Sequence, residues 1–296
     1  MGQKRRTAMR LKRLRASLKT NKRKIVNRKQ AVVTPQVVIP PIMGKPKYSF
    51  IAAAIREYHY EDLYNSIAQN NDVPFEVILV GDKSPTKPMP DNFHYIHTSV
   101  KPAQCLEIAA RHAVGELMMT TGDDLRYPDG FLKKVEYYVN KIDLDKVFMT
   151  YRYSFNNVTN DAQLVFDIDI PNSPIVGFSG LFRKDLWHQF GGLDKRFVSC
   201  FGETDMMMRY FEYGLNVFIP PDCYPNEISQ NKGELTSFAR SGFSGRETLN
   251  SFWVKSDNTM SKTRLLPVES FIDEDILIKN QGCDTSTGKK GSFKWG

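Results

Sequence analysis

Carboxylates in this chain gather in two short stretches whose spacing could do chemistry. Thr121-Gly-Asp-Asp124 puts paired acids, Asp123 and Asp124, directly after an apolar run, and Gly202-Glu-Thr-Asp-Met-Met-Met-Arg209 puts Glu203 and Asp205 at the start of a run with helical spacing. Adjacent carboxylates at the open end of a strand offer hard oxygen ligands, the set that holds Mg²⁺ or Mn²⁺ and through the ion a diphosphate. The competing reading is a turn or helix cap, in which Asp accepts backbone N–H groups. A carboxylate facing such a site from a helix start could take the proton of an acceptor hydroxyl. For Glu203 and Asp205 the alternative is plain capping, which the helix dipole favours. Arg209 lies four residues beyond Asp205 and could pair with those acids, meet the diphosphate, or form a surface salt bridge.

Positioning such groups takes a scaffold. Residues 48–55, 75–80, 93–98 and 116–121 are short apolar runs suited to buried strands, while residues 60–70 and 101–114 carry apolar positions at helical spacing. Strands alternating with helices predict an α/β fold with a largely parallel, Rossmann-like sheet, whose ligands lie beyond the carboxyl ends of its strands. Asp82 and the Asp123/Asp124 pair fall at two such ends. The second half is less regular: strands are expected over 147–155, 163–168 and 215–219, and helices over 184–190 and 203–213. A polar stretch follows Pro225, and the last 15 or so residues read as an unstructured tail.

Composition narrows the class. The 296 residues are 41% hydrophobic, enough for a large core, which excludes global disorder. Four cysteines, Cys105, Cys200, Cys223 and Cys283, are too scattered for a zinc site or a disulfide framework. With no apolar run approaching a membrane span and no signal-peptide pattern, the expectation is a reduced, cytoplasmic protein. The formal charge of +8 conceals an asymmetry: residues 1–30 hold 13 Lys/Arg and no acid, leaving a body with 28 basic and 33 acidic residues. Leu11, Leu14, Leu18 and Ile25 could make this arm an amphipathic helix on an anionic partner, and the prolines of residues 31–47 make a stiff linker.

In order along the chain, Phe75-Glu-Val-Ile-Leu-Val-Gly-Asp-Lys-Ser84, Thr121-Gly-Asp-Asp124, Gly177-Phe-Ser-Gly-Leu-Phe-Arg183, Gly191-Gly-Leu-Asp194 and Gly202-Glu-Thr-Asp-x-x-x-Arg209 resemble the family 2-type glycosyltransferases with the glycosyltransferase-A fold. The likeness runs over residues 48–220. It implies a nucleotide-sugar-binding half over 48–150, merged with a smaller acceptor-binding and catalytic half over 151–260 and followed by a C-terminal extension over 261–296. Asp82 would then contact the donor's base, Asp123 would ligate Mn²⁺ or Mg²⁺ with Asp124 in support, and Arg209 would serve the diphosphate. Glu203 would be the general base of an inverting single displacement, with Asp205 as runner-up. Three positions depart from the family pattern: Thr121 replaces the first metal-motif acid, Gly81 replaces the first Asp of Asp-Asp-Gly-Ser, and Glu203 stands where an Asp is usual. All five His precede Gly191, so the late metal-binding His of some relatives has no counterpart.

The basic arm suggests nucleic acid as partner, since phosphate contacts release counterions without requiring a base sequence; an anionic membrane surface is the weaker alternative. Arm and domain together predict sugar transfer to hydroxymethylated DNA bases, with the target base turned out of its stack. The alternatives are a glycan, lipid-linked sugar or protein acceptor, and a glycosyltransferase-like binding protein without catalysis.

Overall fold

The computed structural model describes residues 41, 44–155, 158–159, 176–177, 179–199, 201–228 and 245–272. The basic arm, nearly all of the linker before residue 44, the strand expected over 163–168, and Cys200 and Cys283 lie outside the described residues, as do the last 24 positions.

The first half alternates as the apolar runs predict. Strand β1 (Tyr48–Ala53) leads through a single 3-10 turn to helix α1 (Tyr60–Ala68), followed by β2 (Phe75–Gly81), β3 (Phe93–His97), α2 (Pro102–His112) and β4 (Leu117–Thr120). Short β5 (Leu125–Arg126) precedes α3 (Phe131–Val139), a helix not among those expected. Its signal was present in the spacing of Phe131, Leu132, Val135 and Val139, all of them buried. The run expected as one strand over 147–155 divides into β6 (Val147–Tyr151) and β7 (Ser154–Phe155), which join different sheets. The remaining elements are β8 (Val158–Thr159), β9 (Ser179–Arg183), α4 (Lys184–Gln189), α5 (Gly202–Glu212), β10 (Asn216–Phe218), β11 (Asn226–Glu227) and α6 (Arg246–Trp253).

Seven strands form the central sheet in the order β10-β6-β9-β4-β1-β2-β3, with β9 antiparallel to both neighbours and the other pairings parallel. Side chains alternate across it. Phe50, Val77, Leu79 and Met119 pack against Tyr60, Leu63, Tyr64 and Ile67 of α1 and the apolar face of α3. Ile51, Ile78, Val80 and Met118 pack on the other face with Leu106 and Ala109 of α2, Met206 and Tyr210 of α5, and Phe252 and Trp253 of α6. Burial on both faces explains why these strands read as continuous apolar runs. A second, four-stranded sheet, β5-β11-β7-β8, begins immediately after Asp124.

A carboxylate stands at the amino edge of the main sheet. Glu76, 1% exposed, accepts hydrogen bonds from Ser49 Oγ (2.5 Å) and from the backbone N–H groups of Val114 (2.6 Å) and Gly115 (3.2 Å). It ties the starts of β1 and β2 to the turn before β4. Replacing it with Ala orphans the Val114 N–H and the Ser49 hydroxyl, each costing about 1–3 kcal/mol when buried, while the Gly115 N–H keeps Ser49 Oγ at 2.9 Å. Glu76→Ala is therefore expected to lower the urea midpoint by the equivalent of about 2–5 kcal/mol while leaving ligand binding at the opposite edge unchanged.

Candidate active site

At the carboxyl edge, the segments following β1, β2 and β3 surround a cavity of about 180 Å³. Ala53, Ala54, Ile55, Asp82, Thr98 and Cys105 are among its walls. The Thr98 hydroxyl is buried there and finds no hydrogen-bond partner among the described residues, so the wall keeps an unspent donor and acceptor. Gly81 explains one departure from the family pattern. A Cβ at this position would collide with the Ala54 carbonyl oxygen, so the close approach of β1 and β2 leaves no room for a side chain. Asp82 is the first residue at that edge able to present a carboxylate.

Asp123 is 2% exposed and fully engaged. Its Oδ2 accepts the backbone N–H of Ile55 (2.6 Å) and of Arg56 (2.8 Å), and its Oδ1 accepts Nη1 of Arg56. The same Nη1 lies 3.3 Å from Oδ2 of Asp124, so one guanidinium bridges both acids. Burial pushes the Asp123 carboxyl upward from its ordinary value, and the Arg56 charge works against that push. Thr121, where the family has an acid, accepts the Tyr127 hydroxyl at 2.7 Å. From the second sheet, Glu227 of β11 pairs with Leu125, and the following N–H, of Ile228, donates to the Asp124 carbonyl at 3.1 Å. Burial, reinforced by the Asp124 charge, raises the Glu227 carboxyl to about 7.

A divalent ion does not fit these side chains as they stand. Mg²⁺ needs oxygen ligands at about 2.1 Å in near-octahedral array. The free quadrant between Asp123 and Asp124 is filled by Arg56, and among the described residues no three His, Cys, Asp or Glu side chains converge on one point.

The second acidic stretch separates into two environments. Phe201, just before α5, adopts φ +73°, a left-handed conformation that costs a non-glycine residue about 1–2 kcal/mol. Glu203 follows in the first turn, partly exposed. Asp205 is wholly enclosed: its Oδ1 accepts Trp253 Nε1 (2.9 Å) and Arg264 Nε (3.0 Å), and its Oδ2 lies 3.1 Å from Arg209 Nε. Arg209 also donates to the carbonyls of Phe190 (2.7 Å) and Gly192 (2.8 Å), which commits its guanidinium to the turn before α5. Arg264 continues to Asp194 Oδ2 at 2.8 Å and stacks on the Phe252 ring at 3.9 Å. Burial opposes ionisation of Asp194, yet the hydrogen bonds from Arg196, the Glu269 N–H and Arg264 outweigh it and lower that carboxyl to about 2.

Gly191 and Gly192 take φ +84° and +71°, and a Cβ on Gly192 would strike the carboxylate of buried Glu107. That carboxylate accepts the Leu193 N–H (2.9 Å), Trp187 Nε1 (3.1 Å) and Arg111 Nε (3.0 Å). The glycine pair is thus needed for both turn geometry and close packing.

Arg56 is the residue that sequence reasoning missed. Its signal was a lone cation directly after the apolar run 48–55, at the edge where Asp82 follows β2.

No protein-family model and no curated protein sequence matches the chain. Among solved structures, it is similar to TarS 1–349 of S. aureus in complex with UDP-GlcNAc, at 17% identity and a TM-score of 0.48, over 64% of this chain and 60% of that one. The ligand-free TarS 1–349 structure gives 16% identity and a TM-score of 0.48, and this chain again spans 60% of its length. The mannosyltransferase PcManGT from Pyrobaculum calidifontis, in complex with GDP-Man and Mn²⁺, gives 17% identity and a TM-score of 0.49 over 71% and 68% of the two chains.

The Glu227 environment has a pH signature. The folded chain holds this proton more tightly than the unfolded chain, so its contribution favours folding below the ordinary glutamate value of 4.5 and is lost as pH rises towards 7. Urea unfolding across that window should show stability declining with pH, and Glu227→Gln should flatten that part of the profile.

Proposed function

We propose that the chain is a glycosyltransferase that moves a sugar from a nucleoside-diphosphate donor to an acceptor hydroxyl. The observation carrying this reading is the role of one segment, residues 53–56. On one side it walls the cavity holding Asp82 and Thr98, and on the other its N–H groups and Arg56 hold Asp123. A ring bound in that cavity has its attached diphosphate along the same carboxyl edge, on the side of the Arg56 guanidinium, the edge at which open α/β sheets bind ligands.

In this reading Asp82 and Thr98 supply the polar contacts to the base. Glu203 acts as general base, being the acid of its stretch that retains exposure at a helix start. Its carboxylate takes the acceptor proton as the hydroxyl oxygen attacks the anomeric carbon, and the nucleoside diphosphate leaves from the opposite face, which inverts the configuration. Asp205 and Arg209 belong to the support beneath it. The 13 cations of residues 1–30 favour a polyanionic acceptor, and hydroxymethylated DNA offers both phosphates and a primary hydroxyl. No helix among the described residues is long and apolar enough to cross a membrane.

Purified protein incubated with UDP- and GDP-sugars and with hydroxymethylated DNA is expected to release nucleoside diphosphate and add a hexose mass to the DNA. Glu203→Gln should lower turnover by about 10²–10⁴-fold with the fold intact, whereas Asp205→Asn should instead lower the melting temperature. Full activity of Glu203→Gln would remove the assigned base, and no release from any donor would end the enzyme reading. Deleting residues 1–30 should abolish salt-sensitive DNA binding; unchanged binding would detach the arm from the acceptor.

A further inference from the structure

We infer that the Asp123/Asp124 pair of this chain is reserved for the guanidinium of Arg56, which stands where a donor-binding divalent cation would otherwise sit.

Three observations support this. First, Arg56 is placed by covalent economy as well as by charge: its own N–H and that of Ile55 hold Oδ2 of Asp123, while its Nη1 reaches Oδ1 of Asp123 and, at 3.3 Å, Oδ2 of Asp124. Backbone and side chain of one residue thus grip the same carboxylate from both sides. Second, the cation is permanent and enclosed. The Arg56 side chain is 9% exposed, and a guanidinium cannot discharge by losing a proton as a lysine can. A divalent ion bound to Oδ1 would lie against that fixed charge in a water-poor site, where like charges repel far more strongly than in water. Third, the neighbours lack what a metal would need. Thr121 offers a hydroxyl already committed to Tyr127 instead of an acid oxygen. The Glu227 carboxyl responds to the charges of both Asp124 and Arg56, yet Asp123, Asp124 and Glu227 do not converge on one point.

Asp123, Asp124 and Arg56 together carry one net negative charge, so the guanidinium neutralises half of the pair's charge without presenting the double charge of an ion. The inference bears on the donor site proposed above, but its test is a binding measurement whose result does not depend on finding a transferable sugar.

The test is Mn²⁺ titration of the full-length chain, read by the EPR signal of free Mn²⁺. Wild type is expected to show no stoichiometric binding that depends on Asp123. Arg56→Ala, which vacates the space and removes the charge, should gain at least about tenfold in Mn²⁺ affinity, and the gain should vanish in Arg56→Ala/Asp123→Asn. Arg56→Lys, which keeps the charge, should stay as indifferent to Mn²⁺ as wild type. Thermal melting of wild type with about 1 mM MnCl₂ gives a second readout that needs no folded variant, because a ligand binding the native state raises the melting temperature. No shift is expected. One-to-one Mn²⁺ binding by wild type that Asp123→Asn abolishes would overturn the inference, as would a folded Arg56→Ala that gains no affinity.

Discussion

A carboxylate sealed from water stays charged only if cations and donors are brought to it, and this requirement organises the second half of the molecule. Asp205 and Asp194 are both fully enclosed. Meeting their charge draws Arg264 inward from the segment after α6, where it bridges the two acids while lying on Phe252. It also draws in Arg209, whose other N–H groups hold the carbonyls of residues 190 and 192. Such a network adds little net stability over an apolar core, but removing one member strands the others at about 3–5 kcal/mol. Its value lies in the arrangement it enforces. Helix α5, with Glu203 on its first turn, is tied to the turn of Gly191 and Gly192 by Arg209, which meets both Asp205 and the carbonyls of Phe190 and Gly192.

The same requirement operates at the carboxyl edge of the sheet on a smaller scale. Asp123 is buried beside the end of β1, and the residues answering its charge come from the segment that walls the neighbouring cavity. Cavity and acid pair therefore share one segment: displacing Arg56 or the backbone of Ile55 would disturb both. At the opposite edge Glu76 meets the requirement with neutral donors, two backbone N–H groups and a serine hydroxyl. Its surroundings are those of a tie between strands. Three buried acids of similar appearance in the sequence thus hold different positions, separated by what surrounds them.

Much of this was legible beforehand where the cause is local. The apolar runs of β1, β2 and β4 announce strands because a strand covered on both faces has few polar positions, and the alternation with α1 and α2 announces a largely parallel sheet. The division of residues 147–155 between two sheets, at Arg152 and Tyr153, was hidden, because it is set by strand partners that lie far away in the sequence. Helix α3 was overlooked although Phe131, Leu132, Val135 and Val139 share one face.

By itself, the sequence determined the α/β alternation, the placing of Asp82, Asp123 and Asp124 after strands, and the sharp division between a basic arm and an acidic body, since each depends on neighbours within a turn or a strand. Only the tertiary structure decided which acids are enclosed and by what. Arg56 answers Asp123 across 67 positions and Arg264 answers Asp205 across 59. Burial and charge pairing are properties of chain segments that meet only on folding, so Glu203 and Asp205, two residues apart in one motif, come to occupy environments as different as a helix rim and a sealed ionic core.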